Sequence, residues 1–317
     1  MNIFITGATG FIGRHLTEKL LGEGNIVYIL SRKKTDFPKA GSEKLIPVIG
    51  DINKKNSYEF VFDNDIDTIY HLAAIPGQKW GLGRKDYYET NVRATSNLLE
   101  ACLGRVKRFI FASSINAIPE IFEKDREDYG RSKREAEKIV ESFQGKGLET
   151  VILRPAIVYG PGDTGGMMPK LLQLIKKKKF RLIGSGKNVV PLVYIDDLIE
   201  ALLLAQKGKS GSPCEIIGPE NISLEKIAET ASELLGVPFS KTKIPVWIAR
   251  IAAFFSENTA DLLKTQPLVT QHRVSMITRH RIFSPEKARC EIDYHPRTKF
   301  RDGLREAISW YKENGYL

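Results

Sequence analysis

Tyr129 and Lys133 stand four residues apart at the start of a helical pattern over Arg131–Phe143, so both side chains leave one face of that helix. An ammonium one turn from a phenol favours the phenolate and lowers the tyrosine pKa from about 10, which makes the hydroxyl useful as an acid or base. Ser113-Ser114 follow an apolar strand pattern, Phe109–Ala112, where a hydroxyl could bond a reacting oxygen. The chemistry such a set performs is proton transfer coupled to hydride transfer. Because a tyrosine and lysine at this spacing also arise by chance in many helices, the pair gains meaning only from the elements that position it.

The first of these elements is the segment Thr6-Gly7-Ala8-Thr9-Gly10-Phe11-Ile12-Gly13, with glycines three apart between a buried strand, Ile3–Thr6, and an amphipathic helix, Gly13–Leu21. Gly7 permits a tight turn, Gly10 lets the backbone approach a pyrophosphate, and Gly13 lets helix and strand pack closely. The helix N-terminus, with Thr9, Phe11 and Ile12 in the same turn, offers N–H donors and a positive dipole to the phosphates. In NAD-selective sites an acid about 20 residues further on bonds the ribose 2′-hydroxyl. Ser31-Arg32-Lys33 occupies that place here. A guanidinium at Arg32, helped by Arg14, suits a 2′-phosphate, so NADP is expected, with NAD as the alternative. Gly50-Asp51-Ile52 follows the third strand, where Asp51 either accepts a hydrogen bond from the adenine amino group or caps a helix. His71-Leu72-Ala73-Ala74 follows the fourth strand, where small residues let the backbone approach the cofactor. His71 itself reads as a packed histidine.

Strand patterns at Ile3–Thr6, Ile26–Leu30, Leu45–Ile49, Thr68–Leu72, Phe109–Ala112 and Thr150–Arg154 alternate with or adjoin helical patterns at Gly13–Leu21, Asp86–Cys102 and Arg131–Phe143. This order predicts an α/β fold, a doubly wound parallel sheet of the Rossmann kind, with ligands at the carboxyl ends of the strands. After Gly160-Pro161-Gly162 the alternation weakens into helices at Met168–Lys178, Ser223–Leu235 and Phe300–Asn314. Residues 1–162 and 192–210 are expected to form the dinucleotide-binding domain, and residues 163–191 and 211–317 a smaller, mostly helical substrate lobe.

Composition narrows the function classes. Cys102, Cys214 and Cys290 form no CxxC pair, which argues against a zinc site or a disulfide framework and favours a reducing, cytoplasmic setting. None of the five histidines reads as a metal ligand. Met1-Asn-Ile-Phe-Ile-Thr leads straight into a strand without the pattern of a secretory signal. The net charge is +10, and Lys176–Lys179 with Arg181 is the densest basic run, but it lacks interleaved aromatic or glycine-rich recognition elements. It reads as a solvated helix end, with an anionic-substrate site as the alternative, and nucleic acid is not an expected partner. The apolar stretch Ile244–Phe255 carries Arg250 and is too short to span a bilayer; a lobe core, an apolar pocket and a membrane surface are its open readings.

With these residues in view, the chain resembles the extended short-chain dehydrogenases/reductases of the NAD-dependent epimerase/dehydratase superfamily over nearly its whole length. The residues that carry the resemblance are Gly7–Gly13, Gly50-Asp51, His71–Ala74, Asn91-Val92 with Asn97–Ala101, Ser113-Ser114, Tyr129–Lys133, Leu153-Arg154-Pro155, Val158–Pro161 and Asp196-Asp197. The resemblance implies that Ser114 bonds the substrate hydroxyl and that Tyr129 is the acid/base. It implies that Lys133 binds the nicotinamide ribose and polarises Tyr129, that Asn91 contacts the cofactor and steadies the site, and that Pro155 packs near the nicotinamide. It also implies a homodimer, since the helices at Asp86–Cys102 and Arg131–Phe143 are the pair that builds a four-helix interface in similar proteins.

Two positions bear on the substrate. Sugar-nucleotide members usually place an asparagine at Ile157 and often an arginine at Val190; their loss removes partners that a buried diphosphate needs. The runs Leu153–Gly162 and Gly184–Asp197 are more similar to the 3β-hydroxysteroid dehydrogenase and dihydroflavonol reductase branch. The expected activity is therefore an NAD(P)-dependent interconversion of ketone or aldehyde and alcohol on a small or apolar-bodied substrate. A nucleotide-sugar epimerase or dehydratase with tightly held cofactor is the alternative. A non-catalytic nucleotide-binding subunit is disfavoured because Tyr129 and Lys133 are both present.

Overall fold

The computed structural model describes residues 1–34, 37, 43–121, 127–209, 211–267 and 269–317. Six parallel strands arise where the apolar runs predict them: β1 (Asn2–Thr6), β2 (Ile26–Ser31), β3 (Leu45–Ile49), β4 (Thr68–His71), β5 (Arg108–Ala112) and β6 (Glu149–Pro155). Most are buried on both faces, as β1 with Ile3, Phe4 and Ile5 at 0% exposure, because helices cover both sides of such a sheet. The strand Cys214–Ile216, expected in the lobe, instead pairs in parallel with β6 and closes one edge. The order is Cys214–Ile216, β6, β5, β4, β1, β2, β3, so chain direction across the sheet reverses between β1 and β4. That reversal is where a doubly wound sheet opens a crevice for a dinucleotide.

Three helices connect these strands at the functional end: α1 (Phe11–Gly22), α2 (Ala94–Cys102) and α3 (Asp128–Phe143). Upstream of α2, a helical turn at Arg84–Tyr87 and a π-helical turn at Tyr88–Arg93 extend the same stretch. The main core fills the space between sheet and helices, with Phe4, Tyr58, Phe109 and Phe111 among Leu98, Leu99 and Val140.

The chain divides into two compact units, residues 1–156, 195–216 and 285–295, and residues 157–194, 217–284 and 296–317. The first unit thus takes in a late segment, Pro285–His295, whose helix Glu286–Ile292 packs on the Cys214–Ile216 strand. Leu192–Tyr194, expected to return to the first domain, pairs with Ile157–Tyr159 in the second unit. The boundary expected at residue 210 falls outside the described residues. The second unit is mostly helical, with helices Met167–Lys176, Leu224–Leu235, Val246–Leu263, Gln271–Thr278 and Phe300–Glu313 joined by two- and three-residue strands.

Candidate active site

The parallel register sets Thr6 beside His71 and His71 beside Phe111, while Ala112 pairs with Leu153. The carboxyl ends of β1, β4, β5 and β6 therefore finish in one row, and their loops share one rim.

On that rim Gly7 has φ +77°, and a Cβ there would meet the Ala73 amide nitrogen at 2.7 Å, so the β4 loop lies directly against the glycine turn. A Cβ on Gly13 would run into the Gly7 carbonyl and the Ala8 backbone. The turn closes by a bond from the Gly10 N–H to the Gly7 carbonyl at 3.0 Å. Helix α1 then starts with no side-chain cap and no acid in its first turn. Its leading N–H groups and dipole are left for an anion, and this cradle fits a dinucleotide pyrophosphate. Thr9 and Gly10 are exposed, Phe11 and Ile12 half-buried, and Gly13 buried.

Arg32 is exposed just beyond β2, and the described residues that directly follow the strand, Arg32, Lys33 and Lys34, are all basic. Arg14 lies over the Phe37 ring, 5.5 Å from its centroid, and its Nε donates to the Thr9 carbonyl. Asp51 is occupied with its own loop: its carboxylate accepts the Asn53 N–H at 3.0 Å, and its N–H donates to Ser57 Oγ at 2.9 Å. Ile52 packs on the core, while Leu72, Ala73 and Ala74 are half-buried and Pro155 is buried at the end of β6.

A polar chain crosses beneath the rim. The Ala73 N–H donates to Thr6 Oγ1, Thr6 Oγ1 lies 2.7 Å from His71 Nδ1, and His71 Nε2 lies 2.9 Å from Thr95 Oγ1, which donates to the Asn91 carbonyl. These bonds assign the His71 proton to Nε2. Burial pushes its pKa down to about 3, so the ring is a neutral packed histidine. Asn91, only 1% exposed, accepts the Ile75 N–H at 2.8 Å and donates to the Ile75 carbonyl and to Ser132 Oγ. Ser132 in turn donates to the Tyr129 carbonyl. Asn91, named among the cofactor contacts from the sequence, thus spends its amide on tying the β4 loop to α3. It sits in the π-helical turn, which rotates the side chain into this junction.

Tyr129 opens α3. Its N–H donates to Gln78 Oε1, its ring lies 6.4 Å from that of Tyr87, and its phenol neighbours the Ser114 side chain. The two serines separate cleanly: Ser114 faces the phenol and accepts the Asn116 N–H, whereas Ser113 donates to the buried carboxylate of Glu137 at 2.6 Å. One turn along α3, Lys133 is 2% exposed. Its ammonium donates to the Ala112 carbonyl at 2.6 Å and lies 4.1 Å from the centroid of the Phe111 ring.

Burial decides both pKa values. It pushes the Tyr129 phenol up to about 12, against the lowering effect of the Ser114 side chain. It pulls Lys133 down to about 7, against the nearby Glu137 carboxylate. The direction for Tyr129 corrects the expectation drawn from the four-residue spacing: desolvation is the largest influence on the phenol, while the Lys133 Nζ is held at the Ala112 carbonyl.

Sequence reasoning missed the support beneath this pair. Glu137, fully buried one turn beyond Lys133, receives Arg154 Nε at 2.8 Å and Nη2 at 2.7 Å, and also Arg134 at 2.9 Å. Arg154 bonds Glu215 as well. The available signal was an arginine in the otherwise apolar strand Thr150–Pro155, which demands a buried acid. Among the described residues no group of three or more His, Cys, Asp or Glu is arranged to hold a metal.

Comparison with known proteins agrees with this geometry. The profile of the NAD dependent epimerase/dehydratase family matches residues 3–217. Short-chain dehydrogenase/reductase family 42E member 1 from Bos taurus is 30% identical, over 99% of this chain and 88% of the relative. A putative dihydroflavonol 4-reductase from Synechocystis is 28% identical, over 99% of this chain and 95% of the relative. The crystal structure of UDP-glucuronic acid 4-epimerase from Bacillus cereus in complex with NAD shares the fold at a TM-score of 0.77 and 24% identity, covering 100% of both chains. A parallel sheet reversing at β1 and β4, a glycine cradle at the first helix and a profile match over most of its length make this chain a member of the NAD-dependent epimerase/dehydratase family.

Proposed function

We propose that this chain is an NADP-preferring oxidoreductase that interconverts a carbonyl compound and an alcohol on a small or apolar-bodied substrate. The observation that carries the reading is the closeness of the Ser114 side chain to the Tyr129 phenol at the carboxyl end of β5, with the Lys133 amine one helical turn away. The cofactor, when bound, supplies or accepts the hydride at the substrate carbon. Ser114 and Tyr129 hold the substrate oxygen, and Tyr129 gives its proton to that oxygen during reduction or takes it back during oxidation. A phenol near pKa 12 holds its proton at neutral pH, which suits the reductive direction. The charge of Lys133 stabilises the phenolate left behind. Asn91 and Glu137 are positioning residues: the first holds the start of α3, and the second stands under Lys133.

The NADP preference rests on the exposed Arg32, with Arg14 beside the glycine turn and basic residues at 32–34 directly after β2. The preference for an ordinary alcohol over a nucleotide sugar rests on half-buried Ile157 and buried Val190, which offer a diphosphate no polar group. We further propose a homodimer built on the helices around 84–102 and 128–143, and a reducing cytoplasmic setting in keeping with three free cysteines. The discriminating experiment incubates the protein first with NADPH and a panel of ketones and aldehydes, then with UDP-sugars and no added cofactor. Loss of nicotinamide absorbance in the first supports the proposal. Sugar interconversion in the second without such loss replaces it with an epimerase.

A further inference from the structure

The helix Val246–Leu263 has two apolar faces. Ala249, Ala253 and Ala260 recur on its inner side, where the helix packs on Val274, Ile183 and Ile244. The acid Glu257 belongs to this inner side too, since it accepts the Gln271 N–H at 2.8 Å. The outer side carries Trp247, Ile251, Phe254 and Phe255 at helical spacing, followed by Asn258 and then Leu262, and all are exposed; Trp247 and Phe255 are 64% and 63% exposed. An exposed apolar face built on Trp and Phe in the first three turns of a helix marks an interaction surface.

Charge indicates what covers it. The basic run Lys176–Lys179 and Arg181, all exposed, leads into the strand Leu182–Ile183. That strand pairs in parallel with Lys243–Ile244, and the Leu182 N–H donates to the Thr242 carbonyl, so the run ends beside the residues that start the apolar helix. Arg250 and Lys264 add exposed cations on or just after the helix, against the exposed acid Asp261. Basic groups adjoining a Trp- and Phe-bearing helical face match an anionic bilayer surface, where the rings sink below the headgroups and the cations meet them. A second copy of the chain fits less well, because each copy carries a net charge of +10 and would bring its own basic run to the contact. No described helix is long and apolar enough to cross a membrane.

We propose that the outer face of Val246–Leu263, with the Lys176–Arg181 run, binds the protein to anionic lipid surfaces with the helix lying in the plane of the interface. The inference stands apart from the chemistry at Tyr129. The test is sedimentation of the full chain with phosphatidylcholine vesicles, with and without phosphatidylserine. Wild type should pellet with the serine-containing vesicles and be released by salt. The double variant F254Q/F255Q should lose partitioning by about tenfold or more, and K177E/K179E should lose the phosphatidylserine dependence. Both should keep the wild-type circular dichroism and NADPH affinity, which separates lost binding from misfolding. Wild type remaining in the supernatant with both vesicles would overturn the proposal. So would F254Q/F255Q that pellets like wild type, or wild type that does not pellet but forms an oligomer which F254Q/F255Q abolishes.

Discussion

Replacing Lys133 by Met should stabilise the protein at neutral and acid pH, and the gain should vanish in alkali. The amine is 2% exposed, and burial lowers its pKa from 10.5 to about 7. Below pH 7 the folded and unfolded chains both carry the proton, so the full cost of burying the ammonium is present. Between about 7 and 10.5 the unfolded chain binds a proton that the folded chain does not. Stability therefore rises with pH there by up to about 1.4 kcal/mol per unit. The whole interval corresponds to about 5 kcal/mol, an upper bound. Met gives up the hydrogen bond to the Ala112 carbonyl, which costs the variant about 2 kcal/mol. Met fills the same volume without a charge, so the variant should be about 2–3 kcal/mol more stable than wild type near pH 6.5. The difference should shrink steadily towards pH 9.5. Urea unfolding of both proteins at several pH values measures it, and the variant's own curve cancels the other titrating groups. A difference that stays constant across this range would show that the buried amine titrates normally in the folded state. A Lys133→Met variant that is stabilised yet inactive would mark the ammonium as kept for function at the expense of stability.

Tyr129→Phe should keep the circular dichroism and cofactor affinity while turnover falls about 10²–10⁴-fold, and Ser114→Ala should mainly lower kcat; near-full activity of the phenylalanine variant would refute the proton-transfer role. Arg32→Ala should narrow the NADPH-over-NADH preference by about 1–3 kcal/mol, and equal dissociation constants in wild type would remove the basis for it. Glu137→Gln leaves the Arg154 guanidinium, 13% exposed, without its carboxylate and should cost about 3–5 kcal/mol in unfolding experiments; a loss below about 1 kcal/mol would mean that Glu215 suffices. It should also lower the Lys133 pKa further, because Glu137 is the group that raises it. Light scattering at micromolar concentration should return a dimer mass, and a monomer there would refute the four-helix interface.

The sequence by itself determined what depends on periodicity and local backbone chemistry. Apolar runs of four or five residues became β1–β6 with ends within one residue of expectation, because strands buried on both faces read as continuous apolar runs. The glycine turn was legible because Gly7 and Gly13 are required by close backbone approach, and a Cβ at either would collide with main-chain atoms. The proximity of Tyr129 and Lys133 was legible from one helical turn. What only the tertiary structure decided depends on groups far apart in the chain. Nothing near Ser113 or Ser114 in sequence tells that one meets Glu137 and the other Tyr129; the packing of α3 across β5 decides it. The edge strand Cys214–Ile216 is too short for a periodic signal, and β6 supplies its pairing. Asn91 braces the β4 loop because a π-helical turn, invisible to a 3.6-residue period, points it at Ile75 and Ser132. The pKa of Tyr129 moved opposite to expectation for the same reason: spacing along a helix reports how near a charge lies, but desolvation is set by everything packed around the phenol, and here it is the largest influence.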